Sequence, residues 1–154
     1  MHITAISAVI FTFFGISWGL TYNSLPGASV QSADLTSTTW NNFVGGLGVD
    51  ASPSTCAQTG FEMNSSMKVA LNTTVTIKAV KVIGAGTLSN IEINMEDTSN
   101  DKIPERCARW ITGPIDLKSP GVEFPCKIPL TGNVLTLKTT GKAKQVSICD
   151  LKYA

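Results

Sequence analysis

Histidine is all but missing from this 154-residue chain, the one copy being His2. Its absence elsewhere removes the commonest general base near neutral pH, the usual partner of a serine or cysteine nucleophile and the commonest metal ligand. Arginine is nearly as scarce, with only Arg106 and Arg109, and charged residues make up 15% of the chain for a net charge of +1. Nucleic acids and anionic membranes select dense clusters of basic side chains, so neither is an expected partner. Beyond the amino-terminal segment, no stretch sustains the apolar period of about 3.6 residues that an amphipathic helix needs. There is no internal repeat, no low-complexity tract and no Cys-x-x-Cys pair, so a thiolate zinc site is not expected either. Thr139-Thr140-Gly141-Lys142 has the tail of a phosphate loop but lacks the upstream glycine and the helix whose amides would cradle phosphate.

What is present begins with an apolar run from Ile3 to Leu20, with Ser17 and Gly19 as small residues before Leu20. This reads as a signal peptide over 1–19, cleaved before Leu20, with a single domain over 20–154 and no membrane span afterwards. The competing reading is an uncleaved anchor, since about 18 apolar residues can just cross a bilayer. Cleavage would remove His2 and leave a mature chain without imidazole. Four cysteines follow, Cys56, Cys107, Cys126 and Cys149. An even number in a secreted chain implies disulfides, and four cysteines admit three pairings. The preferred one joins Cys107 to Cys126 across neighbouring strands and Cys56 to Cys149, tying an early loop to the last strand.

Residues 20–66 are rich in Ser, Thr, Gly, Asn and Pro and read as loops with short strands. Thr73 to Ile83 is β-branched, and its apolar phase slips between Val75/Ile77 and Val80/Val82, which predicts a bulge near Ala79. Asn90 to Met95 alternates strictly, placing Ile91, Ile93 and Met95 on a buried face and Glu92 and Asn94 in water. Cys107–Ile111 and Gly121–Cys126 read as short strands, and Val134–Thr139 and Gln145–Tyr153 as a final pair with Gly141 at a hairpin tip. Many short strands separated by turns predict an all-β chain folded as a β-sandwich.

Among single residues, Trp40 and Trp110 are expected in the core, with sugar stacking as the competing role. Arg106 and Arg109, three apart, would fall on opposite faces of a regular strand and read as surface charges. Glu92, Glu96, Asp97 and Glu123 are not placed across a cleft as a glycosidase pair would be, so no enzyme is expected. Asn64-Ser65-Ser66 and Asn72-Thr73-Thr74 are N-glycosylation sequons, making Asn64 and Asn72 candidate acceptors.

Several segments, taken in order, resemble the F-type lectins, fucose-binding domains of the discoidin-like jelly-roll superfamily. Asn23 to Ala28 with Gln31-Ser32 looks like the family's opening segment, and Asn42-Phe43-Val44-Gly45-Gly46 stands where its Asn-Ala-Val-Asp-Gly turn would be. Cys56-Ala57-Gln58-Thr59 is similar to its Cys-Thr-His-Thr, Thr74 to Val82 to its long strand, and Ile148-Cys149-Asp150-Leu151-Lys152-Tyr153 to its closing Leu-Cys-Glu-Val-Glu-Val. The resemblance implies a jelly roll and agrees with the preferred cysteine pairing. It implies a sugar site at Gln58, in the family's histidine position, and at a rim loop, Ile83-Gly84-Ala85-Gly86-Thr87, that carries no charge where the family has basic residues. It also implies a structural calcium held through Asn42, Cys149 and Asp150, with Gly45 replacing an expected aspartate. The expectation is a secreted, extracellular carbohydrate-binding domain with a remodelled fucose-type site. Its partners would be glycans or glycoproteins, with homo-oligomerisation open. The alternative is an adhesion, structural or protein-interaction domain that has lost sugar recognition.

Overall fold

The structure is a computed structural model that describes residues 19–25, 29–31, 56–59, 63–100, 103–142 and 146–154. Segment 1–18, Trp40, Asn42 and Gly45 lie outside the described residues. The strands are β1 (Asn23–Ser24), β2 (Ser29–Gln31), β3 (Ala57–Gln58), β4 (Ser66–Gly84), β5 (Thr87–Leu88), β6 (Ile91–Glu96), β7 (Glu105–Trp110), β8 (Ile115–Asp116), β9 (Val122–Thr139) and β10 (Ser147–Tyr153). No described helix is long and apolar enough to cross a membrane.

The architecture is a β-sandwich built on two long strands. β4 and β9 pair antiparallel along most of their length, with register breaks between Ala70 and Val75 and between Ile77 and Ala79. Each therefore serves both layers. In one layer 66–70 pairs with 134–138, flanked by β2 on one side and by β6 and then β7 on the other. In the other, 75–82 pairs with 122–132, and β10 lies on the far side of β4 with β1 and β3 beyond it. The inner faces form one core, with Met67, Val69, Ile91, Ile93, Met95, Leu135 and Leu137 from the first layer and Ile77, Val80, Val82, Phe124, Ile148 and Leu151 from the second.

The phase slip near Ala79 is a bulge. Lys78 N–H and Ala79 N–H both donate to the Ala154 carbonyl, at 2.5 and 3.1 Å, so two residues oppose one and Ala79 and Val80 are buried in succession. Other expectations need correction. The segments 121–126 and 134–139, apart from Gly121, are parts of one strand, β9, which continues because Gly132 lets its backbone pass close to the end of β6. β9 and β10 do not pair with each other but lie on either side of β4, so Gly141 is a turn (φ +97°) in a crossover rather than a hairpin tip.

Both preferred disulfides are present: Cys56–Cys149, 93 residues apart in sequence, and Cys107–Cys126, 19 apart. The second does not join ladder neighbours. Among the described residues β7 pairs only with β6, so this bridge ties the outer strand of one layer to the first half of β9 in the other.

Candidate functional site

Two places bear on function, the rim anticipated from the sequence and a cleft beside β7. At the rim, three segments converge on Ser147. Gln58 pairs with Ser147, Ile148 pairs with Gly84, and Ala85 N–H donates to the Ser147 carbonyl at 3.2 Å. The two parts of the anticipated sugar site are thus brought together. The loop is shorter than expected, however. Ile83 and Gly84 are buried within β4, and a Cβ on Gly84 would sit 2.7 Å from the Ser147 carbonyl oxygen, so these two residues support the rim rather than line it. Ala85 and Thr87 are exposed and Gly86 half-buried, with Thr87 paired to Asp116 of β8. The described rim is poor in side-chain donors, and the donors that hold sugar hydroxyls are what a lectin site requires.

The cleft, about 530 Å³, runs between β7 and the first half of β9. Arg106, Arg109 and Trp110 come from β7, and Glu123, Pro125 and Lys127 from β9, while Cys107, half of the disulfide, lies buried between the two strands. Both arginines stand on the same side of β7, against the simple alternation. Glu92 pairs with Arg109, Ile93 with Ala108 and Asn94 with Arg106, so Cys107 is an extra residue that shifts the phase. The signal was in the sequence: two adjacent small apolar residues, Cys107 and Ala108, between two arginines break the alternation as the slip at Ala79 does.

Glu92 is the hub this bulge creates. Far from facing open water, its side chain is 17% exposed and meets Lys138 at 3.0 Å and Arg106 and Arg109 each at 3.9 Å, while the Asn94 amide donates to it at 3.1 Å. Burial raises a carboxyl pKa, but the Lys138 ammonium, the Asn94 amide and the Arg106 charge outweigh it and hold Glu92 below its ordinary value. A carboxylate whose pKa is depressed on folding contributes stability that is complete above its unfolded pKa and lost as pH falls through the folded one. Glu92→Gln is therefore expected to destabilise the domain by about 1–2 kcal/mol at neutral pH. The gap should close as the pH is taken below the usual carboxylate range, which denaturant midpoints measured across that range will check.

Trp110 is not core. The residue is 37% exposed and its one side-chain donor, Nε1–H, reaches the Gly113 carbonyl at 2.9 Å, which anchors the ring at the surface. Among the described residues, four of the six exposed large apolar side chains, Ile103, Trp110, Ile111 and Ile128, lie on or beside β7 and the first half of β9. That concentration separates this edge from scattered surface hydrophobes.

Elsewhere, burial and then neighbouring Glu123 push the Tyr22 phenol up to about 12, so it stays protonated, and Lys81 sits 5.5 Å from its ring centre. Asp150 is buried, and its Oδ2 has Lys152 Nζ at 3.4 Å and no hydrogen bond. Calcium needs six to eight oxygens. Among the described residues the anticipated ligands supply one carboxylate, already faced by an ammonium, and no three acidic, His or Cys side chains come together to hold a metal. The described residues therefore do not fit a calcium site. Of the sequons, Asn64 is exposed at a turn and its Oδ1 accepts from Gly141 N–H, while Asn72 is exposed within β4.

No family model matches the chain, and no curated protein matches it. Solved structures do. A family 32 carbohydrate-binding module from a family 31 glycoside hydrolase of Clostridium perfringens is 12% identical, with a TM-score of 0.66 over 86% of this chain and 99% of that one. The family 32 module of NanJ from the same organism, solved with galactose, is 13% identical, with a TM-score of 0.60 over 82% and 90%. A fucolectin from striped bass serum is 17% identical, with a TM-score of 0.57 over 81% of this chain and 43% of that one. These likenesses establish the discoidin-like jelly-roll fold.

Proposed function

We propose that this domain binds carbohydrate, in the cleft between β7 and β9, and has no catalytic role. The observation that carries this reading is Trp110: an exposed indole, fixed by its bond to Gly113, beside two arginines over a disulfide-braced floor. An open aromatic face receives the apolar C–H surface of a sugar ring, and guanidinium donors bond its hydroxyls. The fold shared with carbohydrate-binding modules and a fucolectin supports the reading. Secretion after cleavage of 1–19 accords with two disulfides, which persist in oxidising compartments. Fucose specificity would be remodelled, and self-association would strengthen a weak single site by multivalency.

A glycan array with the intact protein tests the proposal. Trp110→Ala is expected to weaken the bound glycan by about 30-fold, the equivalent of about 2 kcal/mol at a central aromatic anchor, with little change in thermal stability. A second reading, favoured by the convergence on Ser147, puts the ligand at Gln58 and Ala85–Thr87. In that case Ala85→Trp would block binding and Trp110→Ala would not. No glycan bound at millimolar concentration would remove the proposal and favour the adhesion or protein-interaction alternative.

A further inference from the structure

From the two guanidinium groups that border the cleft we infer that its ligand is an anionic glycan, a sugar bearing a carboxylate or a sulfate, rather than a neutral one. This rests on the carbohydrate reading and names the class of sugar. Three cations, Lys138, Arg106 and Arg109, surround the single carboxylate of Glu92. Lys138 takes one of its oxygens, Oε1, at 3.0 Å, the closest of the three contacts. The two guanidinium groups share the other, Oε2, each at 3.9 Å, near the outer limit of an ion pair. Each guanidinium has five N–H donors. Among the described residues neither has another partner, and their side chains are 56% and 50% exposed. Both must lie within twice 3.9 Å of each other, since they meet at one atom.

Two like charges held that close repel, and one carboxylate already engaged by an ammonium does not neutralise them. A further negative charge at the mouth of the cleft would relieve the repulsion and meet donors with fork geometry suited to carboxylate or sulfate. Across the cleft β9 contributes one basic and one acidic lining residue, Lys127 and Glu123, whose formal charges cancel. Trp110, one residue on, also borders the cleft but points to the other face of β7, with core-facing Ile91 as its partner, so an exposed ring and a guanidinium pair flank the edge of one short strand. The overall charge of +1 conceals this local surplus because basic and acidic residues are nearly equal in number along the chain.

The test titrates three probes into the intact protein: a uronic-acid oligosaccharide, the same oligosaccharide with its carboxyl groups reduced to hydroxymethyl, and a sulfated oligosaccharide. At least one anionic probe is expected to bind about 10-fold or more tightly than the reduced one, and to weaken as salt rises. Arg106→Gln and Arg109→Gln should each weaken the anionic probe by about 10- to 100-fold and the reduced probe, which keeps only neutral hydroxyl contacts to them, by less than about 10-fold. Preference for the uronate assigns the charge to carboxylate, and preference for the sulfated probe assigns it to sulfate. Equal affinity for the uronate, sulfated and reduced probes overturns this inference and keeps the carbohydrate reading, whereas binding of none overturns both. An anionic preference indifferent to both arginine variants would also overturn it, by placing the charge contact elsewhere. Since both side chains are half exposed and each meets Glu92 only at 3.9 Å, the variants should unfold close to the wild-type temperature, which separates a lost contact from a lost fold.

Discussion

Replacing Cys149 with alanine is expected to destabilise the domain more than replacing Cys126. Cys56–Cys149 spans 93 residues and Cys107–Cys126 spans 19. A cross-link restricts the unfolded chain in proportion to the logarithm of the loop it closes, which gives about 4.7 kcal/mol for the long loop and about 3.3 for the short one. The native contacts point the same way. Among the described residues, Cys56 leads into β3, which pairs with β10 at two positions, Gln58 with Ser147 and Ala57 with Ile148, with Thr59 bonded to Val146 beyond them. Cys149 lies buried among Ile148, Asp150 and Leu151. Losing the long bridge therefore frees a weakly paired segment from the end of β10, where the anticipated rim is assembled. Losing the short one leaves β7 still paired to β6 along five positions. Denaturant midpoints of the two variants, compared under oxidising conditions, decide the matter, and equal midpoints would refute the loop-length argument.

Gly132→Ala is the second large effect. A Cβ at this position would meet the Glu96 carbonyl oxygen closer than any normal contact and lie 2.7 Å from Met95 Cγ. Backbone on both sides must shift, because a carbonyl in a ladder cannot rotate away as a side-chain end can. The expected cost is about 1–3 kcal/mol, the range for overfilling a packed site, read as a lowered denaturation midpoint. Gly86→Ala is the control: a Cβ there meets nothing within 4 Å, and its effect should be close to zero. If both substitutions cost the same, close packing at the β6–β9 crossing would not be what requires glycine at 132.

Much of the fold was legible because strand signals are local. The alternation of Ile91, Ile93 and Met95 describes a strand with one buried face, and all three are buried. The phase slip before Val80 marks a bulge in the strand where two N–H groups share one acceptor. The site was less legible. The arginines were visible as residues, but whether the two share a face depends on one extra residue in β7, and a one-residue slip moves every later side chain to the other face. The rim was half legible: the sequence brings Gln58 and the 83–87 segment to mind only through a family pattern, and the ladder to β10 is what joins them.

By itself, then, the amino-acid sequence determined the chemistry available and the class of fold. It contains almost no imidazole, few charges and four cysteines, and its period-two patterning commits the chain to strands, since side chains on a pleated strand alternate whatever lies next to it. Only the tertiary structure decided which strands are neighbours and what their outward faces share. β9 and β10 follow one another in the chain yet are parted by β4, and three cations drawn from β7 and β9 meet one carboxylate of β6. The physical reason is one of range: periodicity is set by the covalent geometry of adjacent residues, whereas register and charge clustering are set by contacts between segments far apart in sequence, through ladders and a bulge that no local pattern specifies.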